Sequence, residues 1–286
     1  MIKEEAYAKI NLSLDIVGKR PDGYHEVCMI MQTIDLHDTL TFEECDEGIV
    51  LVTDSEELNA ESDSGKDNLI VKAAKALFLR KGENRGVKIT LTKRIPMAAG
   101  MAGGSTDAAA ALRGINRLFG YGLADEELEE IGVKLGADVP YCVKGGTKLS
   151  EGIGEVLTEL PAPGKTALVI CKPPLNISTK EVYEKYDALM DPFHPDVKAM
   201  IEAIKAGESS KIPGLCGNSL EKVTKEICPR IGEIERFFEE NGAIRAVMTG
   251  SGPTVFAFVP KEDQARIESL VKDRFPDCYV KGHFYG

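Results

Sequence analysis

Residues 96–107 read Pro-Met-Ala-Ala-Gly-Met-Ala-Gly-Gly-Ser-Thr-Asp, a run of small side chains between a predicted strand and a predicted helix. Val87, Ile89 and Leu91 alternate with polar residues and predict the strand, while apolar residues at helical spacing follow the run. Small residues let a backbone approach a ligand closely, and the first turn of a helix offers N–H groups to an anion. The stretch therefore predicts a phosphate-binding loop. A tight turn without chemistry is the alternative, but it would not need so many small residues.

The loop has neither of the two common nucleotide-binding spacings. It lacks the lysine of the G-x-x-x-x-G-K-[ST] P-loop, and its glycines do not fit G-x-G-x-x-G. Ser105 or Thr106 can cap the following helix, or can offer a hydroxyl to a phosphate or its metal. A P-loop or Rossmann site is therefore excluded, and a different phosphate loop is expected.

Composition and charge narrow the class of protein. A net charge of -11 argues against nucleic acid or an anionic membrane as the partner. The seven cysteines are scattered without a C-x-x-C pair, which predicts reduced thiols and no zinc site. The N-terminus is charged where a signal peptide would be apolar, and no stretch approaches the roughly 20 apolar residues of a membrane span. We expect a cytoplasmic protein.

The remaining patterns mix strands and helices without regular alternation, which favours the α+β class. Alternation over residues 8–15 and extended runs at 27–34 and 39–43 predict an antiparallel meander, and the acidic and polar residues 54–66 predict a solvated loop. A strand, a turn and a strand are predicted over 245–259. One helix is predicted to begin at residue 68, and further helices are predicted at 125–135, 179–189, 196–205 and 219–240. A strand is predicted at 166–171.

Three further elements are ambiguous when taken alone. Lys9 lies in the first predicted strand and fits an exposed strand lysine. Asp138 follows the helix stop at Gly136 and fits a structural cap. The Thr-Gly-Ser-Gly-Pro-Thr turn at residues 249–254 fits either a hairpin or a second anion-binding turn.

Together with the loop, these elements resemble the GHMP small-molecule kinases. The segments that carry the resemblance lie in order over nearly the whole chain: Ala8–Leu12, Arg20–His25, Asp67–Ile70, Pro96–Asp107, Leu135–Pro140, Glu151–Glu155 and Thr249–Gly252. The segment Arg20–His25 favours the branch that acts on 4-diphosphocytidyl-2-C-methyl-D-erythritol over the mevalonate or homoserine kinases. A nucleotide-binding regulator without turnover is the other alternative, but the presence of both Lys9 and Asp138 argues against it.

The resemblance implies two α+β domains. Residues 1–160 would form an ATP-binding domain like the second domain of ribosomal protein S5, and residues 161–286 a ferredoxin-like substrate domain. It also implies ATP-dependent phosphorylation of the substrate's 2-hydroxyl in the non-mevalonate isoprenoid precursor pathway, with Mg²⁺, by a monomer or homodimer. Nucleic acid and membranes are not among the implied partners.

The resemblance also implies the roles of individual residues. Asp138 would be the base, Lys9 the stabiliser of charge, and Ser105 a possible ligand of Mg²⁺. The residues implied in substrate binding are Asn11, Tyr24, His25, Tyr183, Gly250 and Ser251. The residues implied in ATP binding are Pro96, Met97, Ala98, Ala99, Gly100, Met101, Ala102, Gly103, Gly104, Ser105 and Thr106.

One departure from the family concerns the loop itself. Ala98, Ala99 and Ala102 stand where these kinases usually have glycine. Alanine tolerates a positive φ poorly. We therefore expect a modest affinity for ATP without loss of function.

Overall fold

The structure is a computed structural model that describes the backbone of residues 1–63 and 68–285 and the side chains of residues 1–59 and 68–285. The chain divides into two compact units. The first contains residues 1–8, 36–95 and 102–145, and the second contains residues 9–35, 96–101 and 146–286. These units follow compactness, so the predicted boundary between family domains at residue 160 stays a prediction.

The first unit combines strands with a layer of helices. Two long strands, β1 (Ile2–Lys19) and β2 (His25–Glu44), contribute residues to both units. In the first unit, β2 pairs antiparallel with β4 over Thr39–Glu44, and β4 pairs parallel with β3. The other elements of this unit are β3 (Ile49–Thr53), α1 (Glu56–Asp63), α2 (Leu69–Lys81), β4 (Val87–Thr92), α3 (Gly103–Leu118), α4 (Asp125–Gly132) and α5 (Val139–Lys144).

The predicted acidic loop is wrong for residues 56–63, which form α1. The Ser55 hydroxyl accepts a hydrogen bond from the Leu58 amide at 3.3 Å, as a capping side chain does. Glu56 and Glu57 occupy the first turn, where carboxylates oppose the positive end of the helix dipole. Residues 64–66 of that prediction, and Asp67 of the family segment, lie outside the described residues.

The second unit holds a four-stranded antiparallel sheet in the order β11-β7-β10-β9. Helix α10 packs on β9 and β10, and α11 packs on β7 and β11. The elements of this unit are β5 (Thr147–Glu151), β6 (Val156–Leu160), β7 (Thr166–Lys172), α6 (Thr179–Tyr186), α7 (Val197–Lys205), α8 (Ile212–Leu215), β8 (Gly217–Asn218), α9 (Glu221–Ile227), α10 (Arg230–Glu240), β9 (Arg245–Met248), β10 (Val255–Phe258), α11 (Gln264–Arg274) and β11 (Tyr279–Tyr285).

The structure corrects three predicted elements. The runs at 27–34 and 39–43 belong to one strand, β2, which continues through residues 35–38 without a turn. The helix predicted at 219–240 is two helices, α9 and α10, since Pro229 has no amide hydrogen to continue the first. Helix α4 ends at Gly132, three residues earlier than predicted. Among the described residues, no helix combines the length and apolar character needed to cross a membrane.

The packing of α3 on β2 depends on the missing side chain of Gly114. A β-carbon at this position would lie 2.3–2.6 Å from ring atoms of Phe42, which is fully buried. Gly114→Ala should lower the free energy of unfolding by about 1–3 kcal/mol, because overpacking outweighs the gain in helix propensity. Gly232→Ala is the matched control, because its nearest neighbour would be 3.6 Å away. Urea denaturation measures both, and a stabilised Gly114→Ala variant would contradict the packing described.

Candidate active site

Lys9 and Asn11 lie two residues apart on β1, and both are buried. Residues at this spacing point to the same face of a strand. The Lys9 ammonium donates to the Asn11 Oδ1 at 2.7 Å. The backbone N–H of Asn11 in turn donates to the Thr249 hydroxyl at 2.9 Å. The lysine is therefore a buried, hydrogen-bonded cation rather than an exposed strand lysine.

Within the second unit, two glycine-containing turns meet backbone to backbone beside Lys9. A β-carbon on Gly100 would lie 2.5 Å from the Thr249 carbonyl oxygen, and one on Gly250 would lie 2.8 Å from the Gly100 carbonyl oxygen. The Lys9 amide donates to the Met101 carbonyl at 3.2 Å. The first half of the loop, the cation and the second turn therefore form one cluster.

Side chains that the sequence did not single out hold the second turn. The buried Asn218 amide donates to the carbonyls of Met248 and Gly250 at 2.9 and 2.8 Å. Glu221 accepts the Met248 amide at 3.0 Å and pairs with Lys225 at 2.7 Å. The family segments gave no indication of these supports, because Asn218 in β8 and Glu221 in α9 lie outside those segments.

The Glu235 carboxylate also pairs with Lys225. Burial, together with the negative charge of Glu221, raises the pKa of Glu235 to about 8 against the opposing effect of Lys225. Lys225, which pairs with both Glu221 and Glu235, therefore lies next to the residues that hold the second glycine turn.

The second half of the loop begins α3 in the first unit. Ala102 occupies the N-cap position and forms no side-chain cap. Neither Ser105 nor Thr106 caps the helix, although their hydroxyls were candidates for this role. The hydroxyl of the buried Thr106 instead donates to the Tyr7 carbonyl at 2.8 Å. Ser105 faces a different element: its hydroxyl would lie 3.8 Å from a β-carbon on Gly136.

Two of the three unusual alanines adopt the backbone conformation that favours glycine. The φ angles of Ala98 and Ala102 are 47° and 58°. Ala99 does not have a positive φ. This conformation costs an L-residue other than glycine roughly 1–2 kcal/mol. The loop therefore carries strain at the positions where the sequence departs from the family.

Asp138 lies in the first unit, in the turn between Gly136 and α5. It is half-buried and precedes α5 in a helical conformation, with φ −81°. Its side chain forms no cap on α5. The cap interpretation that the sequence left open is therefore wrong for this carboxylate. The same turn holds Gly136 next to Ser105, so these sequence-predicted elements come together within the first unit.

A buried charge cluster beside the start of α3 was not predicted. The Lys93 ammonium contacts carboxylate oxygens of Asp38 at 2.5 Å and Asp107 at 2.7 Å, and all three side chains are at most 8% exposed. The other Asp38 oxygen accepts the amides of Arg94 and Ile95 at 2.5 and 2.8 Å. The second Asp107 oxygen is buried without a hydrogen-bond partner among the described residues. Asp38 thus fixes the backbone that leads into the loop.

Three of the predicted substrate residues surround the start of β2. The imidazole of His25 lies 4.8 Å from the ring of Tyr183, between centroids, at an interplanar angle of 41°. Its Nε2 hydrogen-bonds to Asp187 at 2.6 Å, and Asp187 also pairs with Lys19 at 2.5 Å. Tyr24 is 61% exposed in the turn before β2. The structure therefore brings His25 and Tyr183 together and adds Asp187, which sequence reasoning missed.

No group of three or more metal-ligating side chains occurs among the described residues. A kinase that takes up Mg²⁺ with its nucleotide needs few protein ligands, because phosphate oxygens and water supply most of them. A hydroxyl such as that of Ser105 is compatible with this donor set.

Phosphoryl transfer to a small molecule needs groups that bind phosphate, a cation and a base. The two glycine turns, the Lys9 ammonium and the Asp138 carboxylate are groups of these kinds. The family model for the N-terminal domain of GHMP kinases matches residues 68–146, and the C-terminal model matches residues 193–277. A relative from Bacillus pumilus is 47% identical over 93% of this chain and 90% of its own length. The chain belongs to the GHMP kinase family, as its motifs predicted, and is an ATP-dependent small-molecule kinase.

The relatives have one name in common. The Bacillus pumilus protein is a 4-diphosphocytidyl-2-C-methyl-D-erythritol kinase, and so is one from Clostridium beijerinckii, 43% identical over 98% of this chain and 99% of its own. A crystal structure of 4-(cytidine 5'-diphospho)-2C-methyl-D-erythritol kinase matches with a TM-score of 0.82 and 28% identity, covering 100% of both chains. The L. major mevalonate kinase, with a TM-score of 0.78 and 17% identity over 100% of this chain and 96% of its own, has the same fold. The predicted α+β GHMP kinase fold is confirmed.

The Lys93 cluster generates a prediction about pH. Burial raises the pKa of Asp107 to about 7 from an ordinary 3.8; Lys93 opposes this shift, and the charge of Asp38 adds to it. A carboxyl whose pKa is raised by folding contributes less stability as the pH rises from about 4 to about 7. Because asparagine cannot ionise, the free energy of unfolding of Asp107→Asn should gain about 1–3 kcal/mol relative to wild type between pH 5 and pH 8.

Urea denaturation at the two pH values measures this difference. Asp125→Asn, at an exposed position of the same unit, is the control and should show no such change. A difference for Asp107→Asn that stays constant with pH would contradict the raised pKa.

Proposed function

We propose that this kinase transfers the γ-phosphoryl group of ATP to the 2-hydroxyl of 4-diphosphocytidyl-2-C-methyl-D-erythritol, in the non-mevalonate isoprenoid precursor pathway. The names of the relatives support this substrate. Other GHMP kinases of mevalonate or homoserine type share the fold, but the segment Arg20–His25 favours the cytidylyl substrate.

One observation within the second unit supports the cytidylyl substrate most directly. The hydroxyl of Thr179, at the start of α6, lies 2.9 Å from the hydroxyl of Ser251, which joins that helix to the second glycine turn. Four residues later, Tyr183 of the same helix packs on His25. Residues four apart share a helix face and are about 6 Å apart along the axis. A turn suited to phosphate and a ring pair suited to a base are thus one helical turn apart, as a cytidine diphosphate compound requires.

Each proposed substrate residue has a chemical part in this arrangement. Tyr24 and Tyr183 offer π-faces to the cytosine, and His25 offers a polar edge to it. Gly250 and Ser251 would bind the phosphates, and Asn11, which holds the Lys9 ammonium, would orient the acceptor.

The proposed reaction needs positioning and charge neutralisation more than covalent catalysis. Asp138 would take the proton of the 2-hydroxyl. The hydroxyl oxygen would attack the γ-phosphorus of ATP, and ADP would leave. Lys9 would stabilise the negative charge on the transferring group. The residues 96–106 would bind the ATP phosphates. Mg²⁺, with Ser105 as its proposed protein ligand, would neutralise phosphate charge.

The remaining sequence predictions stand as part of this proposal. We propose an ATP-binding domain over residues 1–160 and a substrate domain over residues 161–286. We also propose a cytoplasmic enzyme, monomeric or homodimeric, with no nucleic-acid partner.

The proposed base can be tested by Asp138→Asn. This variant keeps the shape of the side chain but cannot accept the proton, so kcat should fall by about 10²–10⁴-fold with little change in substrate binding. Coupled ADP release measures kcat, and isothermal titration measures binding. Asp125→Asn should keep normal turnover. A near-normal kcat for Asp138→Asn would remove this residue from the mechanism.

The proposed substrate can be tested by a panel of acceptors. The cytidylyl compound should be phosphorylated efficiently, while mevalonate, homoserine and the uridine analogue should be poor, because unpaired polar groups in a site are costly. Tyr24→Ala should raise KM about tenfold, since a stacked base contributes about 1–3 kcal/mol. His25→Ala should weaken the preference for cytosine over uracil. Turnover of mevalonate or homoserine without the cytidylyl compound would overturn the substrate but leave the kinase class intact.

A further inference from the structure

The contact between His25 and Asp187 defines which ring nitrogen carries a proton. The side chain of His25 is only 9% exposed, and its Nε2 lies 2.6 Å from the Asp187 Oδ1. The other oxygen of Asp187 pairs with Lys19 at 2.5 Å. All three residues belong to the second unit.

The charge state of Asp187 decides the direction of this hydrogen bond. Partial burial raises the pKa of Asp187, but the hydrogen bonds from His25 and Lys19 outweigh it and lower the pKa below its ordinary value. At neutral pH the carboxylate is therefore ionised and can only accept hydrogen bonds. The imidazole must donate through Nε2.

The second ring nitrogen then follows from the first. A neutral imidazole carries one proton, and the hydrogen bond made by one nitrogen sets the role of the other. With the proton on Nε2, the Nδ1 of His25 is an acceptor.

An acceptor at Nδ1 distinguishes between pyrimidines. The exocyclic amino group of cytosine donates a hydrogen bond, whereas uracil has a carbonyl oxygen in its place. With uracil, the carbonyl oxygen would face the Nδ1 of His25. Both atoms are hydrogen-bond acceptors, so both would be left unsatisfied in a buried site.

We propose that Asp187 is a positioning residue for pyrimidine specificity. It holds the proton of His25 on Nε2, and so presents Nδ1 as an acceptor to the amino group of cytosine. This inference rests on the proposed function, in which His25 reads the base. It adds the residue that gives the ring its selectivity.

The tautomer can be measured without any substrate. The chain has four histidines, so the His25 signals can be assigned by comparing wild type with His25→Ala in ¹⁵N-correlated NMR spectra of the ring nitrogens. At about pH 8.5, where an ordinary imidazole is neutral, wild type should show a protonated Nε2 and an unprotonated Nδ1. Asp187→Ala should populate both tautomers. A wild-type ring protonated on Nδ1 would overturn the inference.

Kinetics on the same variants test the consequence. In Asp187→Ala the ratio of kcat/KM for the cytidylyl compound to that for its uridine analogue should fall about tenfold or more, through KM. The KM for ATP should stay unchanged. Asp187→Asn should restore most of the ratio, because its amide oxygen can accept the same hydrogen bond without the charge.

Glu184→Gln removes one negative charge from the exposed face of the same helix and should leave the ratio unchanged. Circular dichroism confirms that each variant is folded. An unchanged ratio in Asp187→Ala would overturn the inference while the proposed substrate stands. Failure of wild type to use the cytidylyl compound would instead overturn the proposed function.

Discussion

The close approach of Gly100 and Gly250 is the constraint on which the rest of the site depends. A β-carbon on Gly250 would collide with the backbone of Gly100, and one on Gly100 would collide with the Thr249 carbonyl oxygen in the same turn as Gly250. Only glycine permits this approach, and both residues have a positive φ. The approach brings Thr249 within hydrogen-bonding distance of Asn11, whose side chain fixes the Lys9 ammonium. The position of the proposed catalytic cation therefore follows from the contact between two backbones.

A cluster of one lysine and two carboxyl groups lies beside each loop, and the cluster in the first unit is buried. In the first unit Lys93 lies between Asp38 and Asp107, and in the second unit Lys225 lies between two glutamates. Each lysine meets two carboxylates, and in each cluster one carboxyl has a raised pKa. Clusters of this kind add little net stability, but removing one member leaves an uncompensated buried charge. In each cluster a carboxylate also accepts backbone amides next to the loop: Asp38 accepts those of Arg94 and Ile95, and Glu221 accepts that of Met248.

Local patterns predicted much of the fold. The helix predicted from residue 68 is α2, which begins at Leu69 after the capping side chain of Asn68, and the strand before the loop runs over Val87–Thr92. The errors fell where a local pattern was ambiguous. Residues 27–43 contain a change of pattern but no turn, so β2 continues through them. The acidic residues after Ser55 look like a solvated loop, yet they oppose the helix dipole and form α1.

The sequence by itself determined the family and the loops, because small residues, turn residues and a few fixed side chains at set spacings carry that information locally. Only the tertiary structure decided which groups support them. Asp187 meets His25 across 162 positions of the chain, and Lys93 meets Asp38 across 55. Such pairs leave no periodic pattern in the sequence. They arise because packing removes polar groups from water, and each buried polar group then needs a hydrogen-bond partner. The residues that give the site its electrostatics and the histidine its tautomer were therefore set by packing.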